Sequence, residues 1–199
     1  MKVGSFRRIL PVLLIVGLIV AVASPALTQL RIGKVRVVHI AGPINGVSVI
    51  TETAPFSTNA IGFIPLPGAV GSMAISPGQR ALIKVQFDAE SQCTEADTDP
   101  NWCSVRILIA GGEGNPASGI DFAFDSTNRG RDLPGSWQAG GMTRVRCIAN
   151  TTGSTINVPV MVQVAVTNAP ADASRPVFRL DDWELDIYRA QPCSQQTSG

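Results

Sequence analysis

Histidine is almost missing from this 199-residue chain: His39 stands alone. Any site built on two histidines is therefore excluded, and a Ser–His–Asp triad would need His39 as its base. His39 lies in the alternating run VRVVHI at residues 35–40. No G-x-S-x-G elbow surrounds Ser72 or Ser76, so His39 is read as a strand residue. No C-x-x-C pair occurs, which excludes the usual zinc framework. Charge is sparse and balanced. There are 16 Lys+Arg against 15 Asp+Glu, for +1. Without a basic block the chain has no electrostatic footprint for nucleic acid. Outside the N-terminus no sustained apolar period of 3.6 exists, which excludes a helical domain.

The one long apolar run, residues 9–23, follows Lys2, Arg7 and Arg8 and precedes Ser24-Pro25-Ala26. That order is a secretory signal, with cleavage expected after Ala26. No cysteine follows the run, so a lipoprotein anchor is excluded. An uncleaved anchor would need about 17–25 apolar residues; the run is shorter and holds Pro11, so membrane attachment is expected only if it is retained. Removing residues 1–26 leaves 13 Lys+Arg against 15 Asp+Glu, a net charge of −2. The remainder is read as a single domain, 27–194, followed by a polar tail, 195–199. A secreted or cell-surface location follows.

The dominant period in that remainder is two. Val158, Val160, Val162, Val164 and Val166 form one continuous apolar face, and Ala81, Ile83, Val85 and Phe87 form another. Val105, Ile107 and Ile109 repeat it. Val145 and Cys147 are taken as inward, with Arg144, Arg146 and Ile148 on the other face. Turn signals at Asn45-Gly46, Pro67-Gly68, Pro77-Gly78, Gly111-Gly112, Pro134-Gly135 and Thr152-Gly153 separate the runs. Phe178 and Leu180 are apolar at even positions, then Trp183, Leu185 and Ile187 at odd ones. That switch of face requires a β-bulge at Asp181-Asp182. The expected fold is all-β, an antiparallel two-sheet sandwich of jelly-roll type.

Four cysteines in a secreted chain imply two disulfides, with three connectivities open. We expect Cys93–Cys103, closing an acidic loop between antiparallel neighbours, and Cys147–Cys193, which follows from it. The best metal candidate lies inside the first bridge. Asp97, Asp99 and Asn101 stand at the first three ligand spacings of a calcium loop, with Asp88, Glu90 or Glu95 as helpers. Trp102 and Leu108 occupy the positions where an EF-hand needs Gly and Glu, so any calcium here would be structural. No other cofactor is expected.

Asp182, Glu184 and Asp186 share one face of the last strand. Paired carboxylates can hydrolyse glycosides, but pairing with Arg144 or Arg146 on a neighbouring strand is the simpler expectation. Trp137 and Tyr188 are the candidate ligand-binding rings for a sugar. Gly112-Glu113-Gly114 is read as a turn between strands, because no helix follows it. Asn150-Thr151-Thr152 matches the N-glycosylation sequon.

Residues 80–93 (RALIKVQFDAESQC), 102–109 (WCSVRILI), 121–126 (DFAFDS) and 178–183 (FRLDDW) together resemble small secreted bacterial β-sandwich proteins of unassigned function. In architecture such chains are similar to the jelly-roll heads of tumour-necrosis-factor-like and phage-fibre proteins. Those heads often form homotrimers, and the resemblance implies no catalytic residues. The expected function is a secreted, non-enzymatic binding or structural module whose partner is a carbohydrate or the chain itself. The alternatives are a carbohydrate-binding module with structural calcium and a small glycoside hydrolase.

Overall fold

Period-two apolar runs leave one face of each strand to be hidden, and two sheets hide them against each other. The structure, a computed structural model, describes residues 36–40, 42–94, 101–116, 122–127, 136–167 and 176–197. All belong to one compact unit, Lys34–Gly199. They form β1 (Arg36–Ile40), β2 (Ile44–Glu52), β3 (Phe56–Thr58), β4 (Ile64–Ile75), β5 (Arg80–Thr94) and β6 (Trp102–Ile109). After these come β7 (Gly112–Glu113), β8 (Ala123–Ser126), β9 (Gln138–Ala149), β10 (Ile156–Thr167), β11 (Val177–Ala190) and β12 (Cys193–Thr197).

One sheet has the order β2-β11-β5-β9, with β3 also on β11. The other has the order β4-β10-β6-β7, with β8 also on β6. All pairings are antiparallel, and they nest: β2 with β11, β4 with β10, β5 with β9, β6 with β8. The valine face of β10 is buried against Ile83, Val85 and Phe87 of β5 and Leu185 and Ile187 of β11. The bulge falls where the change of face requires it. The β11·β5 register skips between Asp181 and Glu184, and Asp182 takes a left-handed φ of 43°.

Four expectations need correction. First, β9 has the opposite phase. Phe87 pairs with Met142, Val85 with Arg144 and Ile83 with Arg146, so the arginines take the core side. Val145 and Cys147 instead join Leu82, Ala190 and Cys193 in a small outer cluster. The arginines are tolerated because β9 is an edge strand and long side chains can run to polar partners at the rim. Arg146 Nη1 donates to the carbonyl of Ile109, and the Arg144 guanidinium lies 5.1 Å from the Phe122 ring centroid. Burial lowers the Arg144 pKa, partly offset by Glu113.

Second, Cys93–Cys103 and Cys147–Cys193 both form, with Cα separations of 5.8 and 6.0 Å. However, β5 and β6 are not sheet neighbours. The short bridge pins one sheet to the other across the core, where both cysteines are fully buried. Third, residues 195–197 of the segment read as a tail belong to a strand: Gln195 and Gln196 pair with Val38 and Val37, so β12 and β1 make a two-stranded ribbon; residues 198–199 lie outside the described residues. Fourth, Asn45-Gly46 and Pro67-Gly68 lie within β2 and β4 rather than between strands.

Candidate functional site

Most of the described carboxylates lie on the outer face of the β2-β11-β5-β9 sheet. Alternation on β5 sends Asp88 and Glu90 outward, because Phe87 and Ala89 face in. The β11 bulge keeps Asp181 and Glu184 on the same outer face on either side of Asp182. Register then sets like against like: Glu184 opposes Asp88, and Asp181 opposes Glu90. Directly opposed like charges destabilise an antiparallel pair. Asp88, Glu90, Asp182 and Glu184 line a shallow groove of about 520 Å³ floored by Ala139 and Gly140. The absence of a side chain at Gly141 is needed here. A Cβ there would clash with Asp88 Oδ1, so the Asp88 carboxylate lies flat against β9.

The rest of the face is tied internally. Gln86 Nε2 donates to Asp88 Oδ2 at 2.8 Å, and the Tyr188 hydroxyl donates to Asp186 Oδ2 at 2.7 Å. That hydrogen bond, with desolvation and the nearby carboxylates of Asp186, Glu184 and Asp88, raises the Tyr188 pKa. Lys84 Nζ stands 5.4 Å from the Tyr188 ring centroid. Arg179 donates to Gln92 Oε1 and Thr94 Oγ1.

Asp182, Glu184 and Asp186 are thus on one face, as expected, but Arg144 and Arg146 lie on the opposite face of β9 and do not pair with them. On the other sheet, Arg106 Nε stands 4.0 Å from Glu113 Oε1 as an ion pair. Asp97, Asp99 and Glu95 lie outside the described residues. Asn101 is buried, and its backbone exchanges hydrogen bonds with Thr127. Among the described residues no group of three or more His, Cys, Asp or Glu is arranged to hold a metal ion.

Trp137 is 39% exposed, two residues before Ala139 at the groove. Tyr188 pairs with Lys84, which pairs with Val145. The two rings are therefore about 25 Å apart along the sheet and form no common platform. His39 pairs with Ser194 in the ribbon. Gly112-Glu113 forms the short strand β7 and is not itself the turn; the turn falls just before it, at Ala110-Gly111, both with left-handed φ.

Asn150 of the sequon is buried, and its amide is saturated. Nδ2 donates to the carbonyls of Ile75 and Ser154, both at 2.8 Å, and Oδ1 accepts from Thr152 N and Thr152 Oγ1. It locks the β9–β10 turn to β4 and is inaccessible to a glycan in the folded chain. The acidic residues of β5 and β11 were each visible in the sequence. Their opposition was not, since it depends on pairing strands distant in the chain.

No family model matches the chain, and no curated protein does. Solved structures similar to it include two of infectious bursal disease virus. "Structure of infectious bursal disease virus Gx strain" has 12% identity and a TM-score of 0.40, covering 72% of this chain and 32% of that one. "Structure of infectious bursal disease virus Gt strain" has 10% identity and a TM-score of 0.34, covering 75% and 38%. This chain spans about a third of the length of those solved chains.

Proposed function

We propose that the chain is a secreted or cell-surface binding or structural module, not an enzyme, built as a jelly roll. The nested pairing of β2 with β11, β4 with β10, β5 with β9 and β6 with β8 supports the jelly-roll reading. One observation carries the extracellular reading: all four cysteines are paired, and one pair pins the two sheets together. Stable disulfides belong to oxidising compartments. No helix among the described residues is long and apolar enough to cross a membrane. The test is cell fractionation with thiol blocking at lysis. The chain should be found outside the cytoplasm with no blockable thiol, and a reduced cytoplasmic pool would contradict the reading.

A second reading, a carbohydrate-binding module with structural calcium, has the acidic groove and the exposed Trp137 beside it in its favour. Carboxylates accept sugar hydroxyls, and a flat ring stacks on a sugar face. The grooved carboxylates stand side by side on one sheet rather than on opposed walls, which favours binding over hydrolysis. A glycan array run with wild type and Trp137→Ala, with and without calcium, tests this. Ring-dependent retention supports it, and no retention under either condition removes it.

A further inference from the structure

Every open sheet presents unpaired backbone groups at its edges, and folded proteins blunt those edges. Among the described residues the two large sheets have four edges, and three of them are blunted. β4 carries Pro65 and Pro67 and breaks register with β10 between Met161 and Gln163. β9 is covered where Asn115 exchanges backbone hydrogen bonds with Val145, at 2.7 and 3.0 Å. The far side of β6 holds only β7 and β8, of two and four residues. The fourth edge, β2, has nine residues (INGVSVITE) with no proline, lysine or arginine. It also carries three of the most exposed large apolar side chains described: Ile44 at 59%, Val47 at 56% and Val49 at 56%.

We propose that β2 is an assembly edge whose occupant is β2 of a second copy of this chain, paired antiparallel about Ser48. This names a partner for the module proposed above and rests on that reading. The register makes the strand complementary to itself. Val47 lies opposite Val49 of the second copy, twice, so four exposed valines form one apolar patch on the outer face. Asn45 lies opposite Thr51. The one charge of the strand, Glu52, lies opposite Ile44 of the second copy, beside the guanidinium that Arg189 holds against Asn45 through Nε and Nη2, both at 2.9 Å. Unlike charges therefore meet at both ends of the pairing, and no like charges are directly opposed. Two sheets join into one continuous sheet.

The test is sedimentation of the purified chain between about 1 μM and 1 mM, with the double variant Val47→Lys, Val49→Lys alongside. Both positions are exposed, so the variant should keep its melting temperature. Wild type should rise with concentration to twice the monomer mass, and the lysine variant should stay monomeric. Mild oxidation of a mixture of Val47→Cys and Val49→Cys chains should give crosslinked dimer, and either variant alone should give little. A monomer throughout, a trimer, or a dimer untouched by the lysines would overturn the proposal. So would equal crosslinking of the single variants. Export is measured separately, so an exported monomer sinks the edge proposal and leaves the module reading intact.

Discussion

β9 and β10 are each twelve residues long and lie in different sheets, yet the fold treats their core-facing sides differently. β10 is flanked by β4 and β6, and its five valines are at most 2% exposed. β9 ends its sheet and turns Met142, Arg144, Arg146 and Ile148 toward the core. At the centre, water is excluded and an inward polar atom has nowhere to go. At the rim, an arginine can bury its stem and deliver its guanidinium to a carbonyl or a ring face. Inward-facing is thus a weaker statement at an edge than at the centre.

Substitutions can break that contrast. Val162→Asp should cost about 4 kcal/mol or more, because it strands a charge in the closed part of the core. No folded signal in circular dichroism is expected, whereas an unchanged melt would mean that β10 is not central. The disulfides come next. By loop entropy, losing Cys147–Cys193 should cost about 4 kcal/mol and losing Cys93–Cys103 about 3 kcal/mol. Denaturant melts of the paired Cys→Ala variants measure both. Asn150→Ala strips a saturated amide from a buried turn and should cost about 2–3 kcal/mol, read from the same melts.

On β9, by contrast, Arg146→Met should change stability by no more than about 1 kcal/mol, since the apolar stem is kept and the charge was only partly buried. A loss as large as that of Val162→Asp would erase the distinction between centre and rim. The smallest effect should come from Glu184→Gln, which relieves the opposition to Asp88. We expect a gain of about 0.2–1 kcal/mol at low salt that shrinks as salt is added.

The same contrast explains how much was legible in the sequence. The valines of β10 allow one phase only, and the shift from Leu180 to Trp183 allows one place for the bulge. β9 offers apolar residues in both phases, Met142 and Ile148 in one, Val145 and Cys147 in the other. Its phase is decided by what Phe87 and Val85 pair with, which no local pattern reveals. The cysteine pairing was readable although the reason for it was not. Cys93 and Cys103 are close because the chain passes from one sheet to the other between them. The acidic groove was the least legible feature. Asp88 and Glu90 read as helpers of a calcium loop, and only the long-range pairing of β5 with β11 sets them against Asp181 and Glu184. The polar composition of residues 195–197 gave no hint of the partner that β1 supplies.

A two-sheet sandwich pinned through its core depends on one pairing of its four cysteines. Non-reducing peptide mapping of the protein, purified from its producing cells with thiols blocked at lysis, tests that pairing most directly. Crosslinked peptides joining Cys93 to Cys103 and Cys147 to Cys193, with no free thiol, are the expected result. A peptide joining Cys93 to Cys147, or a pair of free thiols, would contradict it.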